Sequence, residues 1–401
     1  MMTFVIPTRD RNRRLRATLE ALAQLGPCDS LGGAEVVVVD NDSRERLVLP
    51  THLRSGVRVK SVWLDENLGA AARNLAAHEA HASSEWLIML DDDSWPVGPG
   101  LLDALADQPE DVAVVTADIF VPGVNDGVAG EGSEAGLATP QRERGGLPEV
   151  LIGCGAAVRT KDFLAVGGYD ASFHYYVEEY DLSAKLILAG KRLRFDPRFM
   201  VVHAKDGANR DMNTIVQRLV RNNAWVAQRY APDAELAHEL DEVRDRYHAI
   251  ARKEKASRGY RAGVKELEAT LAQQRRTPMP QHLWDRFVGL AAARRALGAQ
   301  VRRAGVRTVA LIDEGKNAWV PVRALEELGV RVVRLSPGID VNDQRLRELG
   351  VEAVVVGTMS PGPMLDAYFA RTGGPKALGV PVLLPWMVGE LPVVEVVEQA
   401  A

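Results

Sequence analysis

Short apolar runs alternate with helical stripes through the first half of the chain. Residues 3–7, 35–40, 59–64, 86–90 and 112–116 read as strands, the Val-rich second run continuous enough to be covered on both faces. Between them, residues 13–25 put Leu15, Leu19, Leu22 and Leu25 on one helical stripe, and 70–82 and 101–107 follow as further helices. This alternation predicts an α/β fold, a mixed and mostly parallel sheet flanked by helices. In such sheets ligands bind beyond the carboxyl ends of the strands.

The pattern changes downstream. Residues 122–149 are rich in Gly, Pro and Glu, without periodicity, and read as a long surface loop that helps shape a binding site. Residues 213–231 form an amphipathic helix with Ile215, Leu219 and Trp225, and 234–276 are charged and helical. Thr277-Pro278-Met279-Pro280 breaks that run before a basic amphipathic helix at 282–304 carrying Arg294, Arg295, Arg302 and Arg303. From Gly305, apolar runs at 306–312, 330–335, 351–357 and 380–384 alternate with helices at 320–328, 342–349 and 364–371. The expected division is a catalytic-type α/β domain at 1–231, a helical linker at 232–304 and a small doubly wound, Rossmann-like domain at 305–401. Asp313-Glu314-Gly315-Lys316-Asn317 after its first strand lacks the Gly-x-Gly-x-x-Gly fingerprint, so dinucleotide binding is not expected. Packing or homodimerisation is the favoured role of this unit, a second ligand site at Gly357-Thr358-Met359-Ser360 the alternative.

Composition excludes little. Over 401 residues the formal net charge is −5, which gives no basis for nucleic-acid binding. Cys28 and Cys154 are the only cysteines, too few for a disulfide framework. No basic stretch followed by a long apolar run marks a signal peptide, and no run reaches the ~18 apolar residues of a spanning helix. The expectation is a cytoplasmic protein, with the basic helix either an interdomain strut or a peripheral contact to the inner face of a membrane.

Candidate chemistry sits at strand ends. The apolar run Leu87-Ile88-Met89-Leu90 ends in Asp91, Asp92 and Asp93. Two carboxylates ~5 Å apart repel by roughly 3 kcal/mol at an effective dielectric of ~20, so a positive partner is expected. Hard oxygen ligands suit Mg²⁺ or Mn²⁺; a solvated acidic turn is the bland alternative. Asp10 and Asp40/Asp42 also follow strands, which suggests one acidic crevice.

The first ~230 residues resemble a family 2 glycosyltransferase with a GT-A fold. The resemblance rests on Pro7-Thr8-Arg9-Asp10-Arg11, Asp40-Asn41-Asp42-Ser43, Asn67-Leu68-Gly69 followed by Arg73-Asn74, the Asp91–Asp93 triplet, Gly167-Gly168-Tyr169-Asp170, Glu178-Glu179-Tyr180-Asp181, and His203 after a Val pair. It implies an inverting, metal-dependent, hexosyltransferase-type enzyme that moves a sugar from a nucleoside-diphosphate sugar to a hydroxyl acceptor. Pro7, Thr8, Asp10, Arg11, Asp40, Asp42, Asn67, Gly69, Arg73, Asp91, Asp92 and Gly153 would bind the donor. Asp93, Asp91 and His203 would hold Mn²⁺ or Mg²⁺. The family's catalytic Asp falls at Glu179, one methylene longer, which leaves Glu178 and Asp181 as rival bases; Asp181 otherwise caps the following helix. Lys205 and Arg210 are further candidates for phosphate. Two other readings stay open: a nucleotidyltransferase, which also uses a strand-end Asp pair and a metal, and a non-catalytic sugar-nucleotide sensor.

Overall fold

A computed structural model describes residues 1–106, 108–122, 141–205, 211–335, 341–373 and 376–387. Two sheets organise the chain. The larger contains β1 (Met2–Thr8), β2 (Ala34–Asn41), β3 (Arg58–Leu64), β4 (Trp86–Met89), β5 (Ser94–Val97), β6 (Val112–Val121), β7 (Gln141–Arg142), β8 (Ala156–Arg159) and β9 (Arg192–His203). Its order is β3-β2-β1-β4-β8-β6-β9-β5, with β7 beside β6. The half from β3 to β4 is parallel, β8 runs antiparallel to both β4 and β6, and β6 and β9 are parallel again.

β1 and β2 are buried along their whole length, as continuous apolar runs require when helices cover both faces. The apolar side chains fall into one cluster on each face, Val5, Val37 and Leu87 on one and Phe4, Val36 and Ile88 on the other. The expected α/β class is therefore the observed one. β5 and most of β9 carry no strand signature that the pattern of polarity alone reveals.

The second sheet is small and wholly parallel, in the order β11-β10-β12-β13: β10 is Thr308–Ile312, β11 Arg331–Arg334, β12 Ala353–Val356 and β13 Val382–Leu383. Helices Met212–Tyr230, Asp233–Lys253 and Ser257–Thr270 precede it, and the last two are separated where Lys255 takes a φ of 53°. The basic stretch at 282–304 is two helices, Gln281–Phe287 and Leu290–Ala304, parted at Gly289. Gly289 has φ +94°, and a Cβ there would stand 2.8 Å from Met359 and 3.2 Å from Pro148. Arg294 is spent on Asp285 and Glu327, and Arg286 on Glu149, so this basic face is partly neutralised within the molecule.

The presumed surface loop at 122–149 is only partly testable, since 123–140 lie outside the described residues. Its end is not surface: Arg142 and Glu143 are buried. The Arg142 guanidinium lies between Asp118 (2.9 Å) and Asp366 (2.8 Å) and over the rings of Phe120 and Phe369. Among the described residues no helix is long and apolar enough to cross a membrane.

Candidate active site

The parallel half of the sheet delivers its strand ends to one edge. Asp40 pairs in register with Thr8, and Leu90 donates its amide to the Val5 carbonyl, so the segments after β1, β2 and β4 lie side by side. Asp40 is buried; Oδ1 accepts from the Ser43 amide at 2.8 Å and Oδ2 has no hydrogen-bond partner. Asp10 and Asp42 behave differently. Both have left-handed backbones (φ 54° and 69°), and each is drawn into the loop, Asp42 by Arg9 at 3.1 Å and Asp10 by the Arg44 amide at 2.8 Å. Pro7 is buried within β1.

The three aspartates have three environments. Asp92 is buried and turned back on β1: it accepts from Thr8 Oγ1 at 2.7 Å and pairs with Arg11 Nη1 at 2.7 Å. Burial pushes its carboxyl up to about 7 against the pull of Arg11. Its carboxylate is thus turned toward Thr8 and Arg11, on the interior side of the triplet. Asp93 pairs with Arg11 Nη2 and stands 3.4 Å from His203 Nε2. Burial opposes its ionisation, but His203 and Arg11 hold it below the usual carboxylate range. Asp91 is more open; Oδ1 meets the buried Arg73, and Oδ2 is 3.8 Å from His203 Nε2. The positive partners expected of the triplet are thus partly built in, as Arg11, Arg73 and His203.

His203 ends β9. Its Nδ1 faces Glu143 at 3.0 Å and Cys154 Sγ at 3.4 Å. Glu143 also takes Lys205 Nζ at 2.6 Å, and against the cost of burial these two cations draw it down to about 2. Burial lowers His203, but the groups around it, Cys154 first and then Asp93 and Glu143, hold it well above its ordinary value. Burial keeps the Cys154 thiol protonated, pushed up to about 11, so the carboxylates carry the effect on His203. Asp91, Cys154 and His203 can bring one ligand atom each within 4.8 Å of one another. A neutral thiol on the Nδ1 side is a poor donor; Asp91 Oδ2, Asp93 Oδ1 and, once a cation displaces its proton, His203 Nε2 form the better set. Asp93 Oδ1 is buried without a hydrogen bond, and oxygen with imidazole donors suits Mn²⁺ or Mg²⁺. A carboxylate behind the distal nitrogen is the arrangement that orients a ligating imidazole. Glu143 gave no signal in the sequence beyond being a lone Glu beside a Gly-rich stretch.

The Glu178–Asp181 segment lies across Arg73. Gly69 needs its φ of +62°, because a Cβ there would fall 2.3 Å from the His174 carbonyl oxygen; the Ala70 amide donates to that oxygen at 2.9 Å, and the Gly69 amide to Asn67 Oδ1. This fixes the start of the segment carrying Arg73, whose Nη2 reaches Asp91, the Leu90 carbonyl (3.1 Å) and the Gly153 carbonyl (3.3 Å). A Cβ on Gly153 would lie 3.3 Å from Glu179 Oε1 and 3.8 Å from Arg73 Nη2, so one guanidinium separates the metal-side carboxylates from Glu179.

Glu178, Glu179 and Asp181 share the first turn of helix Glu178–Leu188, behind Val177 in a left-handed conformation. Burial raises both glutamates. Glu178 is raised well above its ordinary value, with its neighbour Glu179 the next cause, whereas backbone amides, Arg73 and the Gly153 amide ease the charge on Glu179. Asp181 sits inside the first turn rather than at the cap, and Arg229 (2.8 Å), Tyr230 (2.7 Å) and Lys185 (3.0 Å) surround its carboxylate. Arg210 lies outside the described residues.

Residues 3–166 match the model of glycosyl transferase family 2. That stretch spans the strand-end crevice, from β1 through the aspartate triplet to β8. Pre-mycofactocin glycosyltransferase of Mycobacterium tuberculosis is 31% identical over 211 residues, which is 50% of this chain and 42% of that protein. Rhamnosyltransferase WbbL of Escherichia coli is 42% identical over 53 residues, 13% of this chain and 20% of that one. The chain thus matches less than half the length of these relatives. Among solved structures, GalNAc-T7 with UDP, GalNAc and Mn²⁺ covers 68% of this chain and 57% of its own at 16% identity and a TM-score of 0.46. Mannosyltransferase PcManGT from Pyrobaculum calidifontis in complex with GDP-Man and Mn²⁺ covers 75% and 80% at 17% identity and a TM-score of 0.42.

Proposed function

We propose that this protein is an inverting glycosyltransferase of GT-A type that moves a sugar from a nucleoside-diphosphate sugar to a hydroxyl acceptor. The observation that carries the reading is the placement of Arg73 between Asp91 and the Gly153–Glu179 contact, in a crevice whose strand-end residues lie within the 3–166 stretch that matches family 2, with Glu179 and His203 beyond it. Leaving-group stabilisation and proton removal have to act on opposite sides of one anomeric carbon, and the crevice has carboxylates of the two kinds on either side of a fixed cation.

Asp40 Oδ2, buried and unpartnered, accepts from a base N–H or a ribose hydroxyl. Arg11 and Arg73 face the diphosphate. Asp91, Asp93 and His203 hold Mn²⁺ or Mg²⁺, which when bound supplies Lewis-acid stabilisation of the departing diphosphate. Glu179 takes the acceptor proton; burial raises its carboxyl above the ordinary value and so makes it a stronger base.

A thermal-shift screen of nucleoside diphosphates with and without Mn²⁺ identifies the base, since a ligand bound only to the native state raises its stability. Incubating the matching sugar nucleotide with Mn²⁺ then tests the reading. Release of nucleoside diphosphate supports it, release of pyrophosphate points to nucleotidyl transfer, and no turnover with any donor overturns it. The anomeric configuration of the product, read by NMR, tests inversion.

A further inference from the structure

Lys316 lies in the loop that follows β10, between Asp313 and Asn317, which both take positive φ angles of 49° and 55°. Its side chain leaves the small sheet and ends over the ring of Tyr180, with Nζ 4.3 Å from the centroid. Tyr180 is the residue after Glu179, and its hydroxyl is buried without a hydrogen-bond partner. Phe287 meets the same ring edge-on at 6.1 Å.

The loop is firmly seated. The Gly315 amide donates to the Gly357 carbonyl at 2.8 Å, and the Met359 amide donates to the Lys316 carbonyl at 3.0 Å. Asn317 Nδ2 donates to the Val288 carbonyl at 3.3 Å. A Cβ on Gly315 would fall 2.9 Å from Thr358, so the approach requires glycine there. Among the described residues no carboxylate forms an ion pair with Lys316, and a ring face recovers only part of what burying an ammonium costs. Burial accordingly pulls Lys316 down to about 8, with Glu179 the charge that supports its protonated form. The donor side already has Arg11 and Arg73; Lys316 stands on the side of the base.

We propose that Lys316, delivered by the C-terminal sheet, binds an anionic group of the acceptor, a phosphate or a carboxylate, and so places the acceptor hydroxyl beside Glu179. The inference rests on the glycosyl-transfer reading above. It also gives the C-terminal unit a part in the site itself.

The test is a calorimetric titration of inorganic phosphate and, separately, of acetate into the full chain. The donor side is first filled with Mg²⁺ and the nucleoside diphosphate chosen by thermal shift. The wild type and Lys316→Arg are expected to bind at least one of the two anions saturably. Lys316→Met is expected to bind it weaker by roughly tenfold or more, the scale of one charge-assisted hydrogen bond. The preferred anion tells a phosphorylated acceptor from a carboxylic one. Equal binding by wild type and Lys316→Met, or no saturable binding of either anion to the wild type, overturns the proposal. If Lys316→Met lacks the wild-type circular dichroism spectrum, Lys316→Gln replaces it under the same criteria. Donor turnover by the wild type is measured beside the titration, so failure of the glycosyl-transfer reading is seen separately from failure of the anion site.

Discussion

Glu179 and Asp181 stand two positions apart in one helical turn and have opposite surroundings. Glu179 borders Gly153 and Arg73, while Asp181 is taken up by Arg229, Tyr230 and Lys185. Glu179→Gln is expected to lower turnover by roughly 10²–10⁴-fold, the usual range for a lost general base, while the nucleoside-diphosphate thermal shift persists. Asp181→Ala instead removes a carboxylate shared by Arg229, Tyr230 and Lys185, but Arg229 keeps Asp170 and Lys185 keeps the Gly168 carbonyl, so it should cost about 1–3 kcal/mol in denaturant unfolding. On the metal side, Glu143→Gln leaves every proposed ligand in place but loosens His203. Mn²⁺ affinity, followed by the paramagnetic signal of the free ion, should fall by roughly 10–100-fold. The aspartate triplet was legible in the sequence because an apolar strand rarely ends in three carboxylates. Its internal division was not, because Asp92 and Asp93 differ only in what Thr8, Arg11 and His203 do around them.

Among the elements, parallel strands were readable from their apolar runs, and their boundaries moved by one or two residues except at β6, which runs five residues beyond its expected end. The antiparallel insert β8 and the long β9 were less so, because β9 alternates charged and apolar residues at one end and turns apolar at the other. Segment 69–79 shows how one residue sets an element. Gly69 fits against the His174 carbonyl, Asn41 clamps both sides of it, accepting from the Leu68 amide and donating to the Gly69 carbonyl, and Arg73 follows in the next turn. Gly69→Ala combines a left-handed backbone with a backbone clash. It is expected to lower stability by more than about 1 kcal/mol and to reduce donor affinity through misplacement of Arg73, both measurable from one set of melts with and without nucleoside diphosphate.

At the scale of the whole molecule, the two sheets meet at the site. A Cβ on Gly362 would stand 2.2 Å from the Glu143 carbonyl oxygen, Ser360 donates to the Gly146 carbonyl at 3.3 Å, and Arg142 joins Asp118 to Asp366. Nothing in a linear pattern announces these contacts, since each links segments more than 200 positions apart. Lys316 makes this coupling measurable. Its folded pKa is lowered to about 8, so above that pH the unfolded chain binds more protons than the native one, and wild-type stability climbs until the ordinary lysine value near ~10.4 is reached. Lys316→Met lacks that climb. Its melting temperature minus that of the wild type should be greatest below pH about 8 and shrink across this window.

The packing of Gly362 on Glu143 has a consequence in time. Residues that form the large sheet leave the ribosome on the order of 10–30 s before Gly362 does, at ordinary rates of synthesis. During that interval Arg142 has Asp118 but not Asp366, and the carbonyl of Glu143 has nothing against it. A nascent chain halted between the two sheets would carry the strand-end aspartates and His203 but lack the packing that seats the Glu143 backbone behind the imidazole.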